Sequence, residues 1–411
     1  MFRKSIWGLG DQAINSLSSL VLAVMVARES TPEHVGAWAI GYAVYTFVLT
    51  ITRSSISTTA IISVEGVTVG ESSDVRRNPS DIQAVSAAVH SALIVTLLSV
   101  PAGLLLGGIL GSYLVIFGLA IPFLIWQDSM RYVTIRRGRL RQTTIVDFVW
   151  LGLQILFGLG LYAAVEDGRM ITVGWVLASV VSIGVASFFV SPILKFGAAK
   201  DFVRIHRTTI GALLAESSLA AGIANLQPAV LGLVIGLAAT GYFRGALSLL
   251  GVAGAVVMGL TPIATVEAVR LIREGRSVSG LLWTWIAGIA VLGGGVTVVV
   301  GLIPDSWGAA LLGETWYGAA SIFPVLAMQI VFRGPNSGIP LVLRAGRQLK
   351  AVVWLRVVHS VSTLAITTGG AVLYGLKGAA WGWLLSSMLL CVFSTLVYMR
   401  LRGQLNGVGR G

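Results

Sequence analysis

The sequence predicts an all-α polytopic membrane protein of about twelve transmembrane helices, arranged as two six-helix bundles related by a pseudo-two-fold axis along the membrane normal. Three observations predict it. Apolar runs of roughly 18 to 28 residues recur from end to end, each long enough to cross a hydrocarbon core about 30 Å thick as a helix. The chain is 55% hydrophobic and only 11% charged, with a mean hydropathy of +0.87, whereas soluble domains are near a quarter charged. Finally, the chain echoes itself at half its length: Gly174-Trp175-Val176-Leu177-Ala178-Ser179 returns as Gly382-Trp383-Leu384-Leu385-Ser386-Ser387, 208 residues on. Ile135-Arg136-Arg137-Gly138-Arg139 matches Leu343-Arg344-Ala345-Gly346-Arg347 at the same offset, and Gly36 with its following aromatic matches Gly241-Tyr242 at an offset of 205. Many secondary transporters are built as such duplications, so the pattern points to movement across a membrane.

In order, the spans run from about Gly8 to Ala27, Val35 to Ile62, Ile82 to Leu105, Tyr113 to Met130, Thr144 to Val165 and Ile171 to Leu194 in the first half. The second half repeats the scheme with Thr208 to Ile235, Leu237 to Ile263, Gly280 to Ile303, Trp316 to Leu343, Ala351 to Leu376 and Gly378 to Met399. The bundles are residues 1–200 and 201–411. An even number of spans in each half gives the halves the same orientation, and a cavity between them follows.

Charge fixes sidedness. The 29 Lys and Arg exceed the 17 Asp and Glu by twelve, a balance that in a soluble chain would suggest nucleic acid. With both termini in the cytoplasm, 22 of the 29 basic residues fall in cytoplasmic segments, Arg131 and Arg137 among them, while the external loops hold Arg28, Arg169, Arg244 and Lys377. This is the positive-inside asymmetry, so the charge sets orientation and contacts anionic lipid rather than nucleic acid. The cytoplasmic segments Val64 to Asp81, Arg131 to Thr143, Lys195 to Arg207 and Glu267 to Ser279 read as loops, and the longest external one is Pro304 to Thr315. Met1 to Ser5 is basic, but the following run contains Asp11, Gln12 and Asn15 and no small-residue cleavage site, which reads as a retained first helix. The single Cys391 allows no intramolecular disulfide.

Most of the 50 glycines lie inside spans, where small residues let membrane helices approach closely. Phe332-Arg333-Gly334-Pro335-Asn336-Ser337-Gly338-Ile339-Pro340 is different: two prolines in six residues remove backbone hydrogen bonds and predict a broken helix.

Polar groups within the spans are the candidate site, because ionisable groups there are costly and usually meet water or a partner. Asp11 and Glu216 stand 205 residues apart, at matching points of the first and seventh helices. They read either as a coupling-ion or headgroup site or as acids placed at helix N-termini. Asn15 continues the Asp11 face and Gln227 lies three turns beyond Glu216. Arg53 lies about 25 Å into the second span, counting 1.5 Å per residue, on a stripe of Tyr42, Thr46, Thr50, Arg53 and Ser57. A guanidinium there suits a phosphate or pyrophosphate, which it grips with two parallel hydrogen bonds; the alternative is snorkelling to the interface. Arg333, at similar depth beside the predicted break, either completes a cationic floor or neutralises freed carbonyls, and Arg356 reads as interfacial. Asp128 and Arg131, one turn apart, read as an interfacial ion pair, and Asp147 has no base nearby on its own helix. The histidines, His34, His90, His206 and His359, are scattered without metal-ligand spacing. No phosphate-binding loop, nucleophile elbow or dinucleotide fingerprint is present, so no catalysis, metal or cofactor is expected.

Several segments in order carry a family likeness: Ala27-Arg28 before Val35-Gly36-Ala37-Trp38, Leu231-Gly232 through Gly241-Tyr242-Phe243-Arg244-Gly245-Ala246, Leu312-Gly313-Glu314-Thr315-Trp316, and Gly375-Leu376-Lys377-Gly378-Ala379-Ala380. In these the chain resembles the polysaccharide and oligosaccharide-lipid flippases of the multidrug/oligosaccharidyl-lipid/polysaccharide exporter superfamily. The resemblance implies two six-helix bundles around a cavity of alternating access. It also implies transport of an undecaprenyl-pyrophosphate-linked saccharide to the outer leaflet of a bacterial inner membrane, for surface polysaccharide, with membrane lipid and other polysaccharide-assembly membrane proteins as partners. Arg53 is the position most similar to the cavity arginines that hold the pyrophosphate. The alternatives are a cation-coupled exporter of small molecules, a membrane enzyme of polysaccharide assembly, and a scaffold.

Overall fold

Where no water is available to hydrogen-bond the backbone, a single spanning segment satisfies its peptide groups only as a helix, and the apolar runs fold accordingly. The computed structural model describes residues 2–62, 79–137, 139–189, 194–346 and 348–407. The helices are α1 (Phe2–Arg28), α2 (Pro32–Thr52), a π-turn (Arg53–Ser57), α3 (Thr58–Ile62), α4 (Pro79–Leu106), α5 (Gly108–Arg136), α6 (Leu140–Val165), α7 (Arg169–Ser187), α8 (Phe196–Ile205), α9 (Arg207–Arg273), α10 (Ser279–Gly301), α11 (Asp305–Leu312), α12 (Thr315–Ala345) and α13 (Leu349–Gly407). No strand occurs among the described residues, and nine of their helices are long and apolar enough to cross a membrane. The fold is thus all-α and multi-span. α9 carries two of the expected runs and breaks between them at Gly236, whose φ of 84° belongs to glycine. α13 breaks likewise at Tyr374 and Gly375.

The chain divides into two compact units, Met1–Ala229 and Val230–Gly411. In the first, α4 packs on α5, α6 on α7, α2 on α5 and α1 on α6, around a core that includes Val89, Met130, Val146 and Ile183. In the second, α12 packs on both α10 and α13, over a core that includes Leu271, Leu282, Val342 and Leu355. Large apolar side chains face outward on both units, as at Leu105 and Val291, which are 88% and 77% exposed. Facing acyl chains costs such groups nothing.

Three loop expectations are corrected. The segment from Lys195 to Arg207 holds α8, the segment from Pro304 to Thr315 holds α11, and α5 and α6 extend until only residues 137–139 separate them. Apolar residues at helical spacing, such as Phe196, Ala199 and Phe202, are what the loop reading overlooked in α8. Most of the expected loop from Val64 to Asp81 lies outside the described residues. The predicted break in α12 is also absent: the helix runs from Thr315 to Ala345 through Pro324, Pro335 and Pro340. Ser337 Oγ donates to the Arg333 carbonyl at 2.7 Å, and neighbouring helices enclose a stretch whose missing backbone donors bend a helix without ending it.

The half-length echo has a packing reason. A Cβ on Gly174 would lie 2.5 Å from the Gly158 nitrogen, and one on Gly382 would lie 2.5 Å from the Ile366 carbonyl oxygen. In each unit, then, a glycine lets one helix touch the backbone of another 16 residues earlier in the chain. Gly174→Val and Gly382→Val are each expected to cost about 1–3 kcal/mol through overpacking. Gly152→Ala, where nothing lies within 4 Å, should stay within about 0.5 kcal/mol. Thermal unfolding in detergent checks the three.

Candidate functional site

Arg53 sits where α2 gives way to the π-turn. Its Nε donates to both Asp128 oxygens at 3.0 and 3.2 Å, and Nη2 donates to Oδ1 at 2.5 Å. The Tyr132 ring lies under the guanidinium at 5.8 Å. Asp128 is nearly enclosed and Arg53 about a third exposed, at 7% and 32%. Beside them Arg131 Nε donates to Asp147 at 3.0 Å with both side chains buried, Arg131 Nη1 is 4.0 Å from Asp128, and Gln127 Nε2 reaches Asp147 at 3.4 Å. Two cations and two anions therefore cancel inside the first unit. A lone buried charge would cost several kcal/mol, and such pairing is how the interior tolerates them.

This arrangement corrects two sequence readings. Asp128 does pair with Arg131 one turn on, at 4.0 Å, but both are buried rather than interfacial, and the closer partner of Asp128 is Arg53, 75 residues away. Arg131, expected at the cytoplasmic surface, is buried in α5 and paired across to α6. A guanidinium on a long stem reaches a neighbouring helix as easily as its own next turn, so spacing along one helix did not reveal the closer partner of either residue.

The other sequence-chosen residues of the first unit are dispersed. Thr50 is exposed and spends its hydroxyl on the Thr46 carbonyl at 2.8 Å, while Thr46 Oγ1 hydrogen-bonds Asn225 Oδ1 at 2.7 Å. Asn15 is half-buried on α1 and its carbonyl accepts Ser19 Oγ at 3.2 Å. Gln227 Nε2 is buried and has no hydrogen-bond partner among the described residues. Among the described residues no hydrogen bond or ion pair links Arg53, Asn15, Thr50 and Gln227 to one another. The side chains of Asp11 and Glu216 lie outside the described residues.

In the second unit one guanidinium within a span is not cancelled among the described residues. Arg333 on α12 is exposed, and among the described residues no carboxylate stands within ion-pair distance of it. Gly254 on α9 leaves room for the guanidinium, since a Cβ there would sit 2.9 Å from Nη1. Polar groups lie on the same stretch of α12 and on the helices packed against it. Gln329 Nε2 donates to Ser387 Oγ at 3.1 Å, Asn336 Nδ2 to the Ser387 carbonyl at 3.0 Å, and Trp285 Nε1 to Ser337 Oγ at 3.0 Å. His359 on α13 is close enough for its ring to feel the Arg333 charge; its Nδ1 is 3.3 Å from Thr363 Oγ1, which is 3.2 Å from Ser386 Oγ. Asn336 Oδ1 and Thr367 Oγ1 are buried without a partner among the described residues. The sequence reading chose Arg333 but passed over Gln329, Asn336, His359 and Thr363. The signal was there: His359, Thr363 and Thr367, like Gln329, Arg333 and Ser337, recur every four residues and form two polar stripes.

The sequence matches no protein-family model and no curated protein. Its structure is similar to a multidrug resistance MATE family transporter of the MOP superfamily in an inward-facing conformation. The TM-score is 0.74 at 14% identity, over 94% of this chain and 95% of that one. It is also similar to the lipid II flippase MurJ, with a TM-score of 0.62 at 12% identity over 100% and 90% of the two chains. The fold is the one that MATE and MurJ share. A third match, a multidrug resistance MATE family transporter of the MOP superfamily in an outward-facing conformation, has a TM-score of 0.61 at 14% identity over 98% and 95%.

Asp147→Asn leaves the buried cluster with one uncompensated positive charge and is expected to cost about 3–5 kcal/mol. The paired change Asp147→Leu with Arg131→Met removes both charges and should cost much less. Thermal unfolding of the purified variants measures the difference.

Proposed function

We propose that the protein moves an anionic lipid-linked saccharide, of the undecaprenyl-pyrophosphate type, across a bacterial inner membrane by alternating access, for surface polysaccharide biosynthesis. The observation that carries the reading is Arg333. Four buried or part-buried charges in the first unit neutralise one another, whereas this guanidinium stands in a spanning helix with no carboxylate beside it among the described residues. An intramembrane cation of that kind is costly unless an anion completes it. A guanidinium grips phosphate oxygens in parallel, which suits a pyrophosphate. The amide and hydroxyl groups of Gln329, Asn336 and Thr367 supply donors and acceptors for sugar hydroxyls. Arg53 stays with Asp128 in this reading and shapes the first unit instead of taking the anion.

The competing reading is a cation-coupled exporter of small molecules using Asp11 and Glu216. A cationic cargo would meet repulsion at Arg333, which disfavours it.

Vesicles carrying the protein and a labelled isoprenyl-pyrophosphoryl sugar test the proposal. Protein-dependent crossing is expected, reduced about tenfold or more in Arg333→Ala, the loss of a charge-assisted pair, and partly retained in Arg333→Lys. The exposed Arg356→Ala should cross as wild type does. Crossing unchanged in Arg333→Ala would reject the site. Efflux of a cationic dye that fails in Asp11→Asn or Glu216→Gln, without crossing of the lipid-linked sugar, would establish the exporter instead.

A further inference from the structure

His359 has a role that the anion reading alone does not require, and it follows from counting protons along a hydrogen-bonded chain. Ser386 Oγ donates its one proton to the Trp383 carbonyl at 2.9 Å. The 3.2 Å contact between Thr363 and Ser386 is then one in which Thr363 donates and Ser386 accepts. With its own proton spent, Thr363 Oγ1 can only accept at its 3.3 Å contact with His359 Nδ1. The chain therefore runs His359 Nδ1–H to Thr363 to Ser386 to the Trp383 carbonyl, and it places the neutral ring's proton on Nδ1. Nε2 is left as a lone pair, and it makes no hydrogen bond among the described residues. Thr363 and Ser386 are buried, at 8% and 0% exposure, so the ring's anchor is shielded from exchange with solvent. A second proton can join Nε2 without breaking any bond of this chain, because the imidazolium still donates from Nδ1.

The charged neighbours decide when that proton arrives. Arg333 is brought near the ring by α12, whose Gln329 and Asn336 both bond Ser387, next in sequence to the Ser386 that meets Thr363. Arg356, on the ring's own helix, is exposed. The second half of α13 brings the uncharged Ser386 and Ser387, α10 brings Trp285, and α9 brings Gly254 beside Arg333. Among these described groups there is no carboxylate. With the site empty, an imidazolium beside Arg333 is a pair of like charges in a medium of low dielectric. With an anion on Arg333 the repulsion is relieved, and a protonated Nε2 adds a second charge-assisted donor.

We propose that Arg333 and His359 form a two-cation clamp in which binding of a pyrophosphate-diester anion and uptake of one proton by His359 Nε2 favour each other. The clamp rests on the anion reading of Arg333 and adds a proton to it: the proton comes from water and is taken up as the lipid-linked substrate binds. By linkage, each ligand raises the affinity for the other by the same factor.

The test is calorimetric titration of the full-length protein in detergent with a ten-carbon isoprenyl-pyrophosphoryl hexose. Each phosphorus carries one ester oxygen, the bridging anhydride oxygen and a single strongly acidic oxygen, so the ligand's own charge is constant between about pH 5 and 9. Wild type should bind about tenfold more tightly at pH 5.5 than at pH 8, the size of one charge-assisted hydrogen bond. Near neutral pH, two buffers of different ionisation enthalpy should report up to one proton taken up. His359→Gln should bind at the wild-type pH 8 affinity throughout, with no proton uptake, and His359→Lys, a fixed cation, should be pH-independent as well. A pH-independent wild type, or pH dependence that survives in His359→Gln, overturns the clamp even while Arg333-dependent binding leaves the anion site standing. Binding unchanged in Arg333→Ala overturns both. Should either His359 variant fail to fold, proton uptake by wild type decides alone. A soluble pyrophosphoryl hexose without the isoprenyl chain should bind at least tenfold more weakly; equal binding would overturn the lipid as the source of the anion.

Discussion

Everything in this molecule answers to one constraint, the free-energy cost of a charge or an unpaired polar group in a medium without water. It explains the helices, since only internal hydrogen bonds satisfy the backbone. It explains the first unit, where Arg53, Asp128, Arg131 and Asp147 cancel in a cluster joining α2, α5 and α6. It also singles out Arg333, for which the described part of the second unit offers polar neighbours and no counter-charge. Compensation at Arg53 and Arg131, beside its absence at Arg333 among the described residues, is the contrast on which the proposed function rests.

The cancelled cluster resembles a fastener. Its charges are held bidentately or at close range, and one aromatic ring lies against the guanidinium, so it fixes α2, α5 and α6 relative to one another. Around Arg333 the design is different. Amides and hydroxyls bond to backbone and to one another, some buried polar atoms are left over, and a small residue opens space beside the guanidinium. A site that must accept and release a polar headgroup benefits from such surplus bonding capacity. The tethering of His359 through Thr363 and Ser386 belongs to the same design, because it orients a titratable ring without using the nitrogen that faces a change of charge.

Much of the fold was legible in the sequence because span length and hydropathy are properties of single segments. The expected division of α9 falls beside Gly236, and that of α13 within a few residues of Gly375. The half-length echo was legible too, and its physical basis is the glycine approach of Gly174 and Gly382. What escaped was everything that depends on neighbours. Pro335 and Pro340 suggest a break when read locally, yet α12 continues because surrounding helices confine it. Asp128 could not be matched to Arg53, nor Arg131 to Asp147, because partners on different helices leave no spacing rule. Of the candidate site, Arg53 and Arg333 stood out as charges in apolar runs, but which of them is already neutralised depends on the packing. His359 was set aside for lacking metal-ligand spacing, although its four-residue recurrence with Thr363 and Thr367 marks a polar stripe.

A structure of the protein with a short-chain isoprenyl-pyrophosphoryl sugar bound tests the central claim most directly. The account predicts pyrophosphate oxygens within ion-pair distance of the Arg333 guanidinium, with Arg53 still joined to Asp128. Pyrophosphate seated on Arg53 with Asp128 released, and Arg333 left without an anion, would contradict it.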